Sequence, residues 1–218
     1  MELMLKDSPS GLKSLNLAKA ALIAIHLQHD VLDADGAFGP IFAAQAAKDG
    51  LVERTRHVVA TARENAIPVI YVNVAYTPDY REVVKNNALF NTAVRKNAFV
   101  RGSRGAQVVD RLAPEPDDFK IEHTRISAFY GTDLAGILRG LEVDTVIVLG
   151  IATNMAVEHT VRDAAQLGFS VVLVEDCCCS SSQEYHDAAL LTLRVVSTAV
   201  IRANELVPLI SDKRSSGK

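Results

Sequence analysis

Residues 26–30, His-Leu-Gln-His-Asp, crowd two imidazoles, an amide and a carboxylate directly behind the apolar run Ala20–Ile25. An imidazole has an unperturbed pKa of ~6.5, so His26 can give or take a proton near neutrality. A second polar group, Glu122-His123-Thr124-Arg125, follows the short run Phe119–Ile121, and a third stretch, Gly150 to Ala156, follows Thr145–Leu149. General acid/base work suits the histidines, and a guanidinium at Arg125 suits a bidentate hold on a carboxylate. His26, His29, Asp30 and His123 also include metal-donor types, and Cys177, Cys178 and Cys179 offer thiols.

Each of these groups needs a strand end to carry it. Short aliphatic or β-branched runs recur at Ala20–Ile25, Pro68–Val74, Phe119–Ile121, Thr145–Leu149, Ser170–Val174 and Ala199–Ile201. Segments with helical spacing separate them, roughly Ile41–Asn65, Asp133–Leu141, Met155–Leu167 and Glu184–Val196. That alternation predicts an α/β fold, a mainly parallel sheet of about six strands between helical layers. Gly50 weakens the first helical segment as one unbroken unit. Thr132-Asp133, Thr153-Asn154 and Ser180–Ser182 supply N-cap chemistry for the others. Ligands of such sheets bind beyond the carboxyl ends of the strands, so the three polar groups are expected at one edge, with Asp176 to Ser182 close by. The irregular stretch Ala75–Val109 is expected to cross that edge as a lid or an oligomer contact.

Composition narrows the field. The chain has 218 residues, 49 % apolar and 22 % charged, with a net charge of -3. That fits a single domain, and it offers no basic stripe for nucleic acid. The apolar runs fall short of the ~20 residues a bilayer helix needs, and the start MELMLKDSPS lacks a signal-peptide layout. A soluble, cytoplasmic protein without a membrane partner is therefore expected. Consecutive cysteines define no disulfide framework, and CxxC, HExxH, GxSxG and P-loop patterns are absent. Lys213–Lys218 reads as a flexible tail.

The ordered set HLQHD at 26–30, APEPDD at 113–118, RISAFYGTDL at 125–134, VIVLGIATNMAVEHTVRDAA at 146–165 and the closing helix with Glu184 and His186 resembles the isochorismatase-like hydrolases. That superfamily includes nicotinamidases, carbamoylsarcosine amidohydrolase and isochorismatases. The resemblance covers about residues 18–205 and implies one three-layer α/β/α domain. It also implies a catalytic aspartate, lysine and cysteine. In this chain the aspartate's place in the pattern IDMQND is His26. The lysine's place, six residues before the phenylalanine of SAF, is His123, and the cysteine's place in GxxTNxCV is Ala156.

Alanine has no lone pair, which removes a covalent thioester route at residue 156. Isochorismatases, the resemblance implies, dispense with the cysteine and hydrolyse a vinyl ether by acid chemistry. His26 and His123 are accordingly the candidate catalytic residues. Two imidazoles facing one pocket repel when both are charged, so one is expected to stay neutral and the two to titrate as a unit. The competing reading of His26 is a strand-end residue that only bonds a neighbouring backbone.

Arg125 is the candidate carboxylate binder, its alternative being a surface pair with Glu122 or Glu158. The resemblance further implies a non-proline cis peptide at Ile151-Ala152 and an anion hole from the amides of Ala152 and Ala156. Asn154, with Thr153, would cap the helix whose first N–H groups face the pocket. The reading places no metal here. Residues 26 and 29 diverge if the strand continues, and the Asp-x-His motif of family nicotinamidases is missing. The cysteine run reads as packing, with a displaced nucleophile as the alternative.

Two functions remain open. One is a hydrolase acting without cofactor or cysteine on a small anionic metabolite, by acid/base chemistry such as vinyl-ether hydrolysis. The other is a catalytically inactive relative that binds a small molecule or serves an oligomer. A homo-oligomer, dimer or tetramer, is expected in either case.

Overall fold

Ala20–Ile25, every residue of it buried, forms strand β1 of the computed structural model, which describes residues 17–48 and 50–211. The first ten residues and the Lys213–Lys218 tail lie outside the described residues. The other strands are β2 (Val69–Val74), β3 (Phe119–His123), β4 (Thr145–Ile151), β5 (Ser170–Cys179) and β6 (Ala199–Ile201). They make one sheet in the order β3-β2-β1-β4-β5-β6, and all of its pairings are parallel. Residues buried on both faces explain why β1 and β4 read as unbroken apolar runs rather than alternating ones.

The helices are α1 (His29–Leu32), α2 (Gly39–Lys48), α3 (Leu51–Glu64), α4 (Ala88–Arg95), α5 (Leu134–Gly140), α6 (Glu158–Gln166), α7 (Gln183–Val196) and α8 (Ala203–Ser211). The path from β1 to β2 steps one way along the sheet, and the path from β4 to β5 steps the other. Right-handed crossovers then put α3 on one face and α6 on the opposite face. Packing agrees, with α3 against α8 and α6 against α7. The direction reverses between β1 and β4, and the chain ends of those two strands open a crevice at the sheet's carboxyl edge.

The expected Ile41–Asn65 helix is broken in two at Gly50, whose φ of 62° lies in the left-handed region. β5 runs past the expected Val174 to Cys179. Its register against β4 shifts between Val148 and Gly150, so Glu175 and Asp176 leave the ladder as a bulge and find cations beside it. Ser182 caps α7 as expected, accepting from the Tyr185 amide at 3.3 Å. Within the stretch 75–109, α4 was not foreseen; Asn87 caps it by accepting from the Phe90 amide at 3.1 Å. The sequence pattern also passed over α1 and α8, the first because it is a single turn and the second because Pro208 lies inside it. No helix among the described residues is long and apolar enough to cross a membrane.

Candidate active site

β1 stops because His26 takes a φ of 51°, a left-handed conformation that turns the chain off the sheet while its amide still bonds the Val72 carbonyl at 3.0 Å. The next residues lock that turn. Gln28 is fully buried; its side-chain amide donates to the carbonyls of Val74 and Ala106, both at 2.8 Å, and its Oε1 accepts from the Val74 amide at 2.9 Å. One side chain thus ties the end of β1 to the end of β2 and to the 75–109 stretch.

His29 and Asp30 turn elsewhere. His29 Nδ1 lies 2.7 Å from Asp33 Oδ2, and Asp30 accepts from the Phe99 amide at 2.6 Å and the Ala37 amide at 3.2 Å. Gly105 passes so close that a Cβ there would sit 2.4 Å from Asp30 Oδ2. Both residues therefore hold loops in place rather than joining His26 around an ion. Among the described residues no group of three or more His, Cys, Asp or Glu side chains is arranged to hold a metal.

β3 ends at His123, and parallel registry of β1, β2 and β3 brings the two imidazoles together. His26 Nε2 and His123 Nε2 are 2.6 Å apart, with ring centroids 4.9 Å apart. His123 Nδ1 is 3.1 Å from the Ser127 carbonyl, which can only accept, so Nδ1 carries a proton. In neutral His123 the Nε2 is then a bare lone pair, and the proton of the short contact is donated by His26. Burial, followed by the charge of His123, holds the His26 imidazole well below its usual range, against a backbone hydrogen bond at Ile151 that favours the protonated ring. Burial likewise pushes His123 down to about 4, opposed by the Ser127 carbonyl. The pair is kept from carrying two charges.

β4 leaves the sheet through Gly150, with φ 129°; a Cβ there would meet the Ile25 carbonyl oxygen at 2.1 Å. Only glycine lets β1 and β4 approach this closely. The Ile151-Ala152 peptide is cis, as the resemblance implies. A π-helical turn, Thr153–Val157, then precedes α6, where one continuous helix from Met155 was expected.

Thr153 and Asn154 do not cap that helix. The Thr153 hydroxyl lies 2.8 Å from His186 Nδ1, and Asn154 Oδ1 accepts from the Ser180 hydroxyl at 2.6 Å. Both side chains fasten the turn to its neighbours instead. Thr160 adds a further tie, donating to the Ala156 carbonyl at 2.7 Å and accepting from the Ala128 amide at 3.0 Å. Ser127 is held in turn by Asp163 at 2.5 Å. From the sequence Gln28 is noted at the strand end without a role, and Thr160 and Asp163 are given none.

These elements enclose a pocket of about 70 Å³, partly open to solvent, lined by His26, Ala152, Ala156 and Arg125 together. His123 stands behind His26 and outside the lining, and Asn154 is also outside it. The stretch 75–109 forms much of the wall through Tyr76, Leu89, Phe90, Ala93 and Phe99. Phe38 stacks on Phe99 with centroids 5.4 Å apart, and Tyr76 meets Phe99 edge-on at 6.4 Å. Glu122 pairs with Arg101 and Glu158 with Arg162, so neither takes Arg125. The Arg125 guanidinium lies over the Phe90 ring, 5.6 Å from its centroid, and no carboxylate among the described residues pairs with it.

The cysteines lie in β5, away from this pocket. All three are buried; Cys178 and Cys179 border a separate polar recess with Arg54, Asp176, Arg194 and Arg202. Burial pushes the Cys177 thiol up to about 12 and Cys178 well above its usual value, so both stay protonated at neutrality.

The Isochorismatase domain model matches residues 20–205. The isochorismatase family protein YecD of Escherichia coli, itself uncharacterized, is 35 % identical over 173 residues, covering 79 % of this chain and 86 % of that protein. The ureidoacrylate amidohydrolase RutB of Methylobacterium radiotolerans is 34 % identical over 153 residues, which span 64 % of this chain and 59 % of that relative. A cysteine hydrolase from Pseudomonas syringae superposes with a TM-score of 0.82 at 23 % identity, covering 91 % of this chain and 95 % of its own, a likeness of fold.

Proposed function

The chain belongs to the isochorismatase family, and we propose that it hydrolyses a small anionic molecule without a covalent intermediate, with His26 as acid/base. The observation that carries this is the placement of His26 on the pocket lining, 2.6 Å from His123, together with an Arg125 on the same lining that no carboxylate among the described residues neutralises. A nucleophile is missing at Ala156, so the chemistry must be one that needs only a proton and water. Cleavage of a vinyl ether meets that condition. Protonated His26 delivers its proton to the alkene carbon, and the ether-bearing carbon becomes an oxocarbenium ion. Water adds there and gives one proton back to the imidazole, forming a hemiketal. The remaining proton of that hydroxyl passes to the ether oxygen as the C–O bond breaks, so a ketone and an alcohol leave and atoms and charge balance.

His123 acts as a positioning residue. It orients the ring, and its own potential charge keeps the His26 proton loosely held and readily given up. Arg125 holds the substrate's carboxylate. The amides of Ala152 and Ala156 supply a polar edge for the oxygen on which charge changes.

The test is turnover followed by proton NMR, with the monocarboxylate 2-(benzyloxy)acrylate as the vinyl ether and ureidoacrylate, N-carbamoylsarcosine and nicotinamide as amides. Cleavage of the vinyl ether with the amides left intact is the expected result. Amide turnover would overturn the reading. A binding protein without turnover is the second reading, favoured by the engagement of His26 Nε2 with His123 rather than with the pocket. Binding of these compounds with no product from any of them would establish it.

A further inference from the structure

We propose that the pocket selects a monocarboxylate with a flat, apolar body, its single carboxylate on Arg125 and its body between the aromatic walls, and that it disfavours dianions. The proposal rests on the pocket being the ligand site. Among the residues lining it, Arg125 is the one permanently charged group. The walls are Phe38, Phe90, Phe99, Tyr76, Leu89 and Met155, with Phe38 stacked on Phe99 and Tyr76 edge-on to the same ring. Such walls recognise a planar apolar body by offset or edge contacts.

Charge complementarity then limits the ligand to one anion. A carboxylate on Arg125 gains charge-assisted hydrogen bonds from a guanidinium that serves no other carboxylate among the described residues. The Tyr76 phenol, pushed up to about 12 mainly by burial although Arg125 pulls it down, stays protonated and can donate. A second carboxylate would find no second cation, because His26 is held neutral by burial and by His123. It would be left in apolar surroundings, and an unpaired buried charge is strongly disfavoured. A dicarboxylate would need two cationic contacts, and the lining offers one permanent cation.

Equilibrium binding by calorimetry decides the matter with benzoate, phenylacetate, benzamide and phthalate as probes. Each is measured on the wild-type protein and on Arg125→Gln and Arg125→Lys. On the wild type, benzoate or phenylacetate is expected to bind at least about tenfold more tightly than benzamide and than phthalate, the size of one charge-assisted interaction. In Arg125→Gln the acid-to-amide ratio is expected to fall to near one while benzamide binding is kept, and Arg125→Lys should retain part of the preference. Equal wild-type binding of acid and amide, tighter binding of phthalate, or an unchanged ratio in Arg125→Gln would each overturn the proposal, as would no binding of any probe. If Arg125→Gln does not fold, the wild-type ratios alone decide. His26→Ala separates the two readings. Ligand preference that survives in this variant, and in a protein without turnover, supports the pocket assignment even if the hydrolase reading fails.

Discussion

His26 and His123, 97 positions apart in the chain, present their Nε2 atoms to each other across 2.6 Å, and the Ser127 carbonyl fixes which nitrogen of His123 holds a proton. Burial, and after it the charge of His123, gives His26 a low proton affinity at the edge of the pocket, where it is still on the lining.

An acid of low proton affinity is active only in its protonated fraction. The kcat/KM for vinyl-ether cleavage is therefore expected to rise as pH falls below ~6.5 toward the folded-state value of His26. His26→Ala should lower the rate by ~10²–10⁴ while moving Tm by no more than a few degrees. His123→Gln removes the neighbouring charge and should shift the pH profile upward as well as lower the rate. Full activity in His26→Ala would end the catalytic assignment.

Folding stability should carry the mark of the same two groups. His123 titrates at about 4 in the folded protein and near ~6.5 unfolded, so the unfolded chain binds more protons between those values. The contribution is intact above the unfolded value and is lost as pH falls through the folded one. Each unit of depression is worth ~1.4 kcal/mol. Chemical denaturation at pH 7.5, 5.5 and 4.5 should show stability falling, and His123→Gln should flatten that fall. A parallel decline in both proteins would assign the effect to other groups.

Ala156→Cys should not create amidase activity. The thiol would lie in the pocket, but the groups beside it are His26, held neutral, and Arg125, and neither is the ionised aspartate with its lysine that the family amidases use. Incubation with nicotinamide and ureidoacrylate, read by ammonia release, checks this. Measurable turnover would show that the histidine pair can activate a thiol.

Gln28→Ala should destabilise the protein by about 3 kcal/mol, since three hydrogen bonds are lost and the Val74 amide and carbonyl stay buried. For a chain of this length, that is a fall in Tm of roughly 6–12 °C. KM is expected to rise with it, because the same clamp joins His26's turn to the pocket wall. A Tm within one or two degrees of wild type would show that water replaces the amide.

Much of the fold could be read along the chain because parallel strands covered on both faces leave long apolar runs, as at Ala20–Ile25 and Thr145–Leu149, and because Gly50 and Ser182 carry local conformational preferences. The reading stopped at places where a polar residue serves a distant partner. Glu175 and Asp176 end an apolar pattern, yet β5 continues beyond them because the bulge turns them toward Arg194 and Arg54. Thr153 and Asn154 have the chemistry of helix caps, but His186 and Ser180, from later elements, claim their side chains.

The site divides in the same way. Residue type and order along the chain determined that a nucleophile is absent at Ala156 and that imidazoles stand at residues 26 and 123, since these are properties of single positions and of a motif. Only the tertiary structure decided that the two rings share a 2.6 Å contact with His123 behind His26, and that Arg125 faces an aromatic pocket while its candidate partners are taken by Arg101 and Arg162. Hydrogen-bond geometry, burial and competition for ion-pair partners depend on distances between segments far apart in the chain, and those distances are set when the sheet assembles.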